Sequence, residues 1–172
     1  VHLFVQALLH LLPRYPDFTA VVGGLCQPAD HEYRHGLQRE LSAAGLAKRV
    51  VWLGEIAPRE MPAWYQRVLI TVACPVYEGF GLTPIEAMAS GSAVVASQTG
   101  AFTRMVADGI TGRVVPVNDV PALTGALAEL LADPGRTSGL GQRGRARAVE
   151  MFSIEAEAAG IERIYEEVWS RV

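Results

Sequence analysis

Leu69 to Gly91 reads LITVACPVYEGFGLTPIEAMASG, and its three parts predict a strand, a glycine-spaced loop and a helix. Leu69 to Ala73 is a short apolar run of the kind buried in a parallel sheet. Thr83 is placed as an N-cap and Glu86 stands three residues later, the spacing of a capping box. Pro84 suits the first helical position, where its missing N–H has no partner to lose. Gly91 is placed to end the helix in a left-handed conformation. In the loop, Gly79 and Gly81 remove side chains where the backbone turns, so the N–H groups of Gly79, Phe80, Gly81, Leu82 and Thr83 can face one ligand. Free N–H groups and the helix dipole together favour a phosphate at that spot.

The same alternation continues on either side. Phe18 to Val22, Val50 to Leu53, Ala93 to Ala96 and Arg113 to Val115 read as further strands. Helices are predicted over 31–45, 59–67 and 102–107, from Pro121 to a stop at Asp133-Pro134, and over 136–150 and 154–170. In the last, Ser153 is the cap and Ile154, Ala158, Ile161, Tyr165 and Val168 form an apolar stripe. The opening VHLFVQALLHLL has Leu3, Ala7 and Leu11 at helical spacing with Phe4, Leu8 and Leu12 beside them, so this helix is covered on more than one side. A start inside such a helix, with no cap before it, leads us to expect a fragment of a longer protein. Strands alternating with helices, with Val-rich runs rather than clean period-two alternation, predict an α/β domain whose parallel sheet carries helices on both faces. Ligands of such sheets sit at the carboxyl ends of the strands.

At 172 residues, 50% of them hydrophobic and 19% charged, the chain is long enough for one full core. A formal net charge of −3 leaves no electrostatic footprint for nucleic acid. No apolar run approaches the roughly 20 residues that span a bilayer, and the start lacks the layout of a signal peptide, so the expected location is cytoplasmic. Cys26 and Cys74 are too far apart for a metal or redox motif and read as core thiols. His31 and His35, four apart on a polar helix, read as a surface pair without a third metal ligand. Arg136, Arg143, Arg145 and Arg147 read as a solvated face.

Three ligand-site readings compete for the loop. Gly79-x-Gly81-x-x-Pro84 falls one residue short of a dinucleotide fingerprint, and Ser97-Gln98-Thr99 offers no carboxylate for a ribose where that fingerprint needs one. A P-loop fails because no lysine follows the glycines. The third reading takes the two carboxylates, Glu78 on the loop and Glu86 on the helix, with seven residues between them. The bland alternatives stay open at this point: Glu86 as only the partner of Thr83, Glu78 as a solvated carboxylate, and the glycines as mere turns.

Glu78 and Glu86, in the context EGFGLTPIEAMASG, resemble the E-x7-E motif of family 4 retaining glycosyltransferases, whose GT-B fold pairs two Rossmann-like domains. Gly54, Val94-Val95-Ala96-Ser97, Asp108-Gly109-x-Thr111-Gly112 and Phe152-Ser153 fit the donor-binding C-terminal half, and the phrasing looks most like bacterial lipopolysaccharide core mannosyltransferases. The resemblance implies that Glu86 accepts hydrogen bonds from a ribose, that Glu78 holds hydroxyls of the donor hexose, and that the N–H groups of Gly79 to Thr83 receive the diphosphate. Gly54, Glu55 and Ile56 would border the base. It further implies a nucleotide diphosphate sugar as donor, GDP-mannose favoured over a UDP-sugar, with no cofactor and, in the absence of D-x-D, no metal. The partner is a glycan or glycolipid acceptor bound through an N-terminal domain, with peripheral membrane association open. By the same resemblance residues 1–172 are a donor domain without its first strand and without the arginine and lysine that precede the first helix, inactive alone. Arg104 and Ala101 depart from the family, where many members have a glutamate and a second glycine. A nucleotide-sugar epimerase and a non-catalytic nucleotide-binding domain are the alternatives.

Overall fold

The start of the chain folds into α1 (His2–Leu11), and its apolar character all round has a plain cause. Leu3, Ala7 and Leu11 enter one hydrophobic cluster while Val5, Leu8 and Leu12 enter another. The computed structural model describes residues 1–170. After α1 the order is β1 (Ala20–Gly23), α2 (His31–Ala43), β2 (Val50–Gly54), α3 (Met61–Arg67), β3 (Ile70–Ala73), α4 (Thr83–Ala89), β4 (Ala93–Ser97), α5 (Phe102–Met105) and β5 (Gly112–Val115). Three helices close it: α6 (Val120–Ala132), α7 (Pro134–Phe152) and α8 (Ile154–Trp169).

All pairing is parallel, as the Val-rich runs predict, but the strands form two sheets rather than one. β1 pairs with β2, Ala20 standing opposite Val50. β4 is the centre of the other sheet, between β3 and β5, and every one of its residues is buried. Among the described residues no ladder joins β1 to β3. α1 spans both sheets instead, through the two clusters it enters.

Several sequence expectations need correction. Asp133-Pro134 does more than stop α6, because the Asp133 carboxylate accepts the Arg136 N–H at 2.9 Å and so caps α7, with Pro134 in its first turn. The arginines of α7 are not simply solvated. Arg143 donates to the Ile110 carbonyl at 2.8 Å, and Arg147 donates to the carbonyls of Met105 and Arg104. These bonds satisfy carbonyls at and just beyond the end of α5, which lie outside any helical ladder. Neither cysteine is fully buried; Cys74 packs partly against a core cluster, and Cys26 lies at a cavity mouth.

Ser153 caps α8 as expected, accepting from the Ala156 N–H at 3.1 Å. The stripe of that helix is nevertheless open to solvent: Ile154 is 81% exposed, Tyr165 73% and Val168 59%. A cap with a clearer energetic consequence is Asp119, whose carboxylate accepts the Ala122 N–H at 2.8 Å and starts the helix that buries Leu123, Leu127 and Leu130. Asp119→Ala is expected to lower stability by about 1 kcal/mol, read as an earlier denaturant midpoint at unchanged slope.

Candidate functional site

The loop from Cys74 to Leu82 leaves the carboxyl end of β3 and leads into α4. Its shape is set by two close approaches. Gly81 has φ +68°, and a Cβ there would meet the Phe102 ring at 2.5 Å and the Glu78 Cγ at 2.7 Å. Gly100, with φ +50°, lies against the backbone of Glu78 and Gly79, so closely that a Cβ would overlap the Glu78 carbonyl oxygen. Phe102 is 1% exposed and belongs to the core under the loop. The loop therefore rests on the start of α5. Gly79 differs: a Cβ there would meet nothing within 4 Å, so its outer side is open.

The helix start is one residue earlier than the capping box requires. The Glu86 N–H donates to the Leu82 carbonyl at 2.9 Å, which makes Leu82 the cap, and no side chain caps the helix. Thr83 is the first helical residue instead, and Gly91 ends the element at φ +86° as expected. With the capping role gone, the Glu86 carboxylate is left to other partners. It stands exposed, and its Oε2 accepts the Tyr65 hydroxyl at 3.2 Å. Burial first, and then the Glu86 carboxylate beside it, push the Tyr65 phenol up to about 12; the Thr83 hydroxyl pulls weakly the other way. Tyr65 thus remains a donor at any ordinary pH.

Glu78 bends back on its own loop, its Oε1 accepting the Gly79 N–H at 3.1 Å. Among the described residues no protein acceptor meets the N–H groups of Phe80, Gly81, Leu82 or Thr83. Phe80 and Leu82 are more than half exposed. Four free donors and two carboxylates therefore share one stretch of backbone, and a ligand reaching all five N–H groups must take Gly79 from Glu78.

Gly54, Glu55 and Ile56 lie at the carboxyl end of β2, in the other sheet. The Gly24 N–H donates to the Gly54 carbonyl at 2.8 Å, and Ile56 packs so tightly over Gly23 that a Cβ there would stand 2.5 Å from its Cδ1. Beside them opens a cavity of about 280 Å³ lined by Gly23, Gly24, Tyr33, Arg34, Trp52 and Gly54 among others, with the Arg34 guanidinium 5.3 Å above the Trp52 ring. Glu55 is exposed. No hydrogen bond joins this group to the Glu78–Thr83 loop among the described residues. α1 lies between them: Val1, just before it, lines the cavity, and Cys74, just past β3, packs against the cluster that Leu3 and Leu11 enter.

Sequence reading missed Tyr65, Phe102 and Gly100. The apolar pattern MPAWYQR marks Tyr65 only as a helix residue, and the turn signal TGA marks Gly100 only as a bend. Neither reveals what lies across the fold.

The family model described as Glycosyl transferases group 1 matches residues 1–147. A lipopolysaccharide core biosynthesis mannosyltransferase, LpcC of Rhizobium leguminosarum bv. viciae, is 40% identical over 163 residues, which cover 95% of this chain and 46% of that protein. A GDP-mannose-dependent alpha-(1-6)-phosphatidylinositol monomannoside mannosyltransferase of Mycolicibacterium smegmatis is 35% identical, covering 91% of this chain and 42% of that protein. The crystal structure of the C-terminal domain of a glycosyl transferase group 1 family protein, LpcC of Francisella tularensis, superposes with a TM-score of 0.83 at 33% identity, covering 88% of this chain and 78% of that one. The chain spans less than half the length of these two mannosyltransferases.

Proposed function

Because the chain belongs to the group 1 glycosyl transferases, we propose that it is the donor-binding part of an enzyme that moves a hexose from a nucleotide diphosphate sugar to a hydroxyl of a glycan or glycolipid. Mannose carried by GDP is the favoured donor, in keeping with the relatives at 40% and 35% identity. The observation that carries the reading is the row of unpartnered N–H groups from Phe80 to Thr83, flanked by Glu78 and Glu86.

In this reading Glu86 accepts from the ribose hydroxyls and Glu78 turns from Gly79 to a hydroxyl of the sugar. Charged acceptors strengthen both bonds. The freed Gly79 N–H then joins the other donors around the diphosphate. As the bond from the anomeric carbon to the diphosphate oxygen breaks, negative charge grows on the leaving group, and donors already aimed there stabilise it without reorganisation. The acceptor oxygen bonds to the anomeric carbon on the face from which the diphosphate left, so the configuration is retained, and its proton passes to the leaving phosphate.

We further propose that residues 1–172 work as one half of a two-domain enzyme, with the acceptor held by the other half at the cytoplasmic face of a membrane. The solvent-exposed stripe of α8 and the unpaired edges of β1 and β3 are the supporting observations. Among the described residues no helix is long and apolar enough to cross a membrane.

The test is a calorimetric panel of GDP, UDP and ADP and their sugars against the full-length protein, with product analysis of the acceptor. GDP and GDP-mannose are expected to bind most tightly and the acceptor to gain one hexose with the donor's configuration. A sugar altered but not transferred, or nucleotide binding without any glycosylated product, would overturn the reading. The isolated 172 residues are expected to bind nucleotide weakly and to turn nothing over; clear turnover by them alone would refute the two-half proposal.

A further inference from the structure

We infer that Tyr65 is a positioning residue: its hydroxyl, fixed in the core, holds the Glu86 carboxylate in the orientation that receives the ribose of the donor nucleotide. The inference rests on the reading of Glu86 given above and adds to it a residue from a different helix.

Glu86 sits in the first turn of a seven-residue helix, exposed, with no cap duty to hold its side chain. A free glutamate of this kind loses rotamer entropy whenever a ligand fixes it. Tyr65 changes that situation. It is 7% exposed, packs in the cluster with Ala87, Met88, Phe102 and Met105, and presents its hydroxyl to Glu86 Oε2 at 3.2 Å. The same cluster underlies the loop that carries the free N–H groups, through Phe102. The donors for the diphosphate and the acceptor for the ribose are therefore aligned against one piece of core.

The acceptor count fits two vicinal hydroxyls. An ionised carboxylate offers about four acceptor positions. Tyr65 uses one on Oε2, which leaves Oε1 and the rest of Oε2 for the ligand. Tyr65 as a whole residue is 7% exposed and its hydroxyl already donates to Glu86, so its action passes through Glu86.

The experiment measures binding of GDP, UDP and their 2′,3′-dideoxy forms to the full-length protein, wild type and Tyr65→Phe, beside Glu86→Gln as a control. Phenylalanine keeps the ring and removes the hydroxyl. Tyr65→Phe is expected to weaken the preferred nucleotide by about tenfold while leaving its dideoxy form at the wild-type value. Donor KM should rise by a similar factor, with kcat at saturation nearly unchanged. Equal loss for the ribose and dideoxy forms would mean that Tyr65 only supports the fold, and no loss for either would mean that it does nothing for Glu86; both overturn the inference. Should Tyr65→Phe melt early, the comparison of ribose and dideoxy forms is made well below its melting temperature, where the folded protein dominates. Glu86→Gln separates the two levels of failure. If it leaves the preference for the ribose form intact, the ribose role of Glu86 falls and this inference with it; if it abolishes that preference while Tyr65→Phe does not, only the Tyr65 inference falls.

Discussion

Glu86→Ala in the full-length protein is expected to lower kcat/KM by about a hundredfold to ten-thousandfold while the melting temperature stays within a few degrees of wild type. The size follows from the bonds lost. A hydrogen bond to a charged group is worth about 1.5–3 kcal/mol, and two ribose hydroxyls bring two of them. Each 1.4 kcal/mol is about a factor of ten. The near-constant stability follows from the position: the carboxylate is exposed, it caps nothing, and alanine is a better helix former than glutamate. Among the described residues the one protein bond lost is the part-buried one donated by Tyr65. Kinetics of transfer from GDP-mannose together with a thermal melt check the claim. Unchanged kcat/KM would remove Glu86 from the site, and a collapsed melt would show that it serves the fold.

How far this site could be read from the chain depended on whether each signal was local. The order of strands and helices was legible because apolar runs and turn residues report on burial wherever they occur: Val94 to Ala96 are all buried, and Gly91 takes a positive φ where a stop was expected. α1 was legible as a helix covered on more than one side from the spacing of its apolar residues. Thr83-Pro84-Ile85-Glu86 misled because a capping box is a pattern of residue types, whereas the cap is decided by which carbonyl takes the first helical bond; here Leu82 takes it. The break between the two sheets was not legible, since strand pairing depends on which edges meet. The bonds of Arg143 and Arg147 to carbonyls more than thirty residues away, and of Tyr65 to Glu86, leave no trace in local periodicity either. A single chain shows which residues can donate, and only the fold shows to what.

Gly100→Ala is the second large expected effect, and it tests whether the loop's shape, rather than its residue types, makes the site. The new Cβ would overlap the Glu78 carbonyl oxygen and stand 2.8 Å from that of Gly79. Both obstacles are backbone, so no rotamer change relieves them. The residue also sits at φ +50°, where a side chain costs about 1–2 kcal/mol. Overpacking of this kind adds about 1–3 kcal/mol more. The expected result is a stability loss of about 2–5 kcal/mol, together with nucleotide affinity lowered at least about tenfold as the Glu78–Gly81 segment is pushed off α5. Gly79→Ala gives the contrast. It meets no atom within 4 Å, so stability should be nearly unchanged, and any loss of nucleotide affinity there reports on the ligand itself. If both variants bind nucleotide like wild type, the loop is not the donor site. If Gly100→Ala loses affinity and stability while Gly79→Ala loses affinity alone, the free N–H groups owe their direction to the contact between Gly100 and the Glu78–Gly79 backbone.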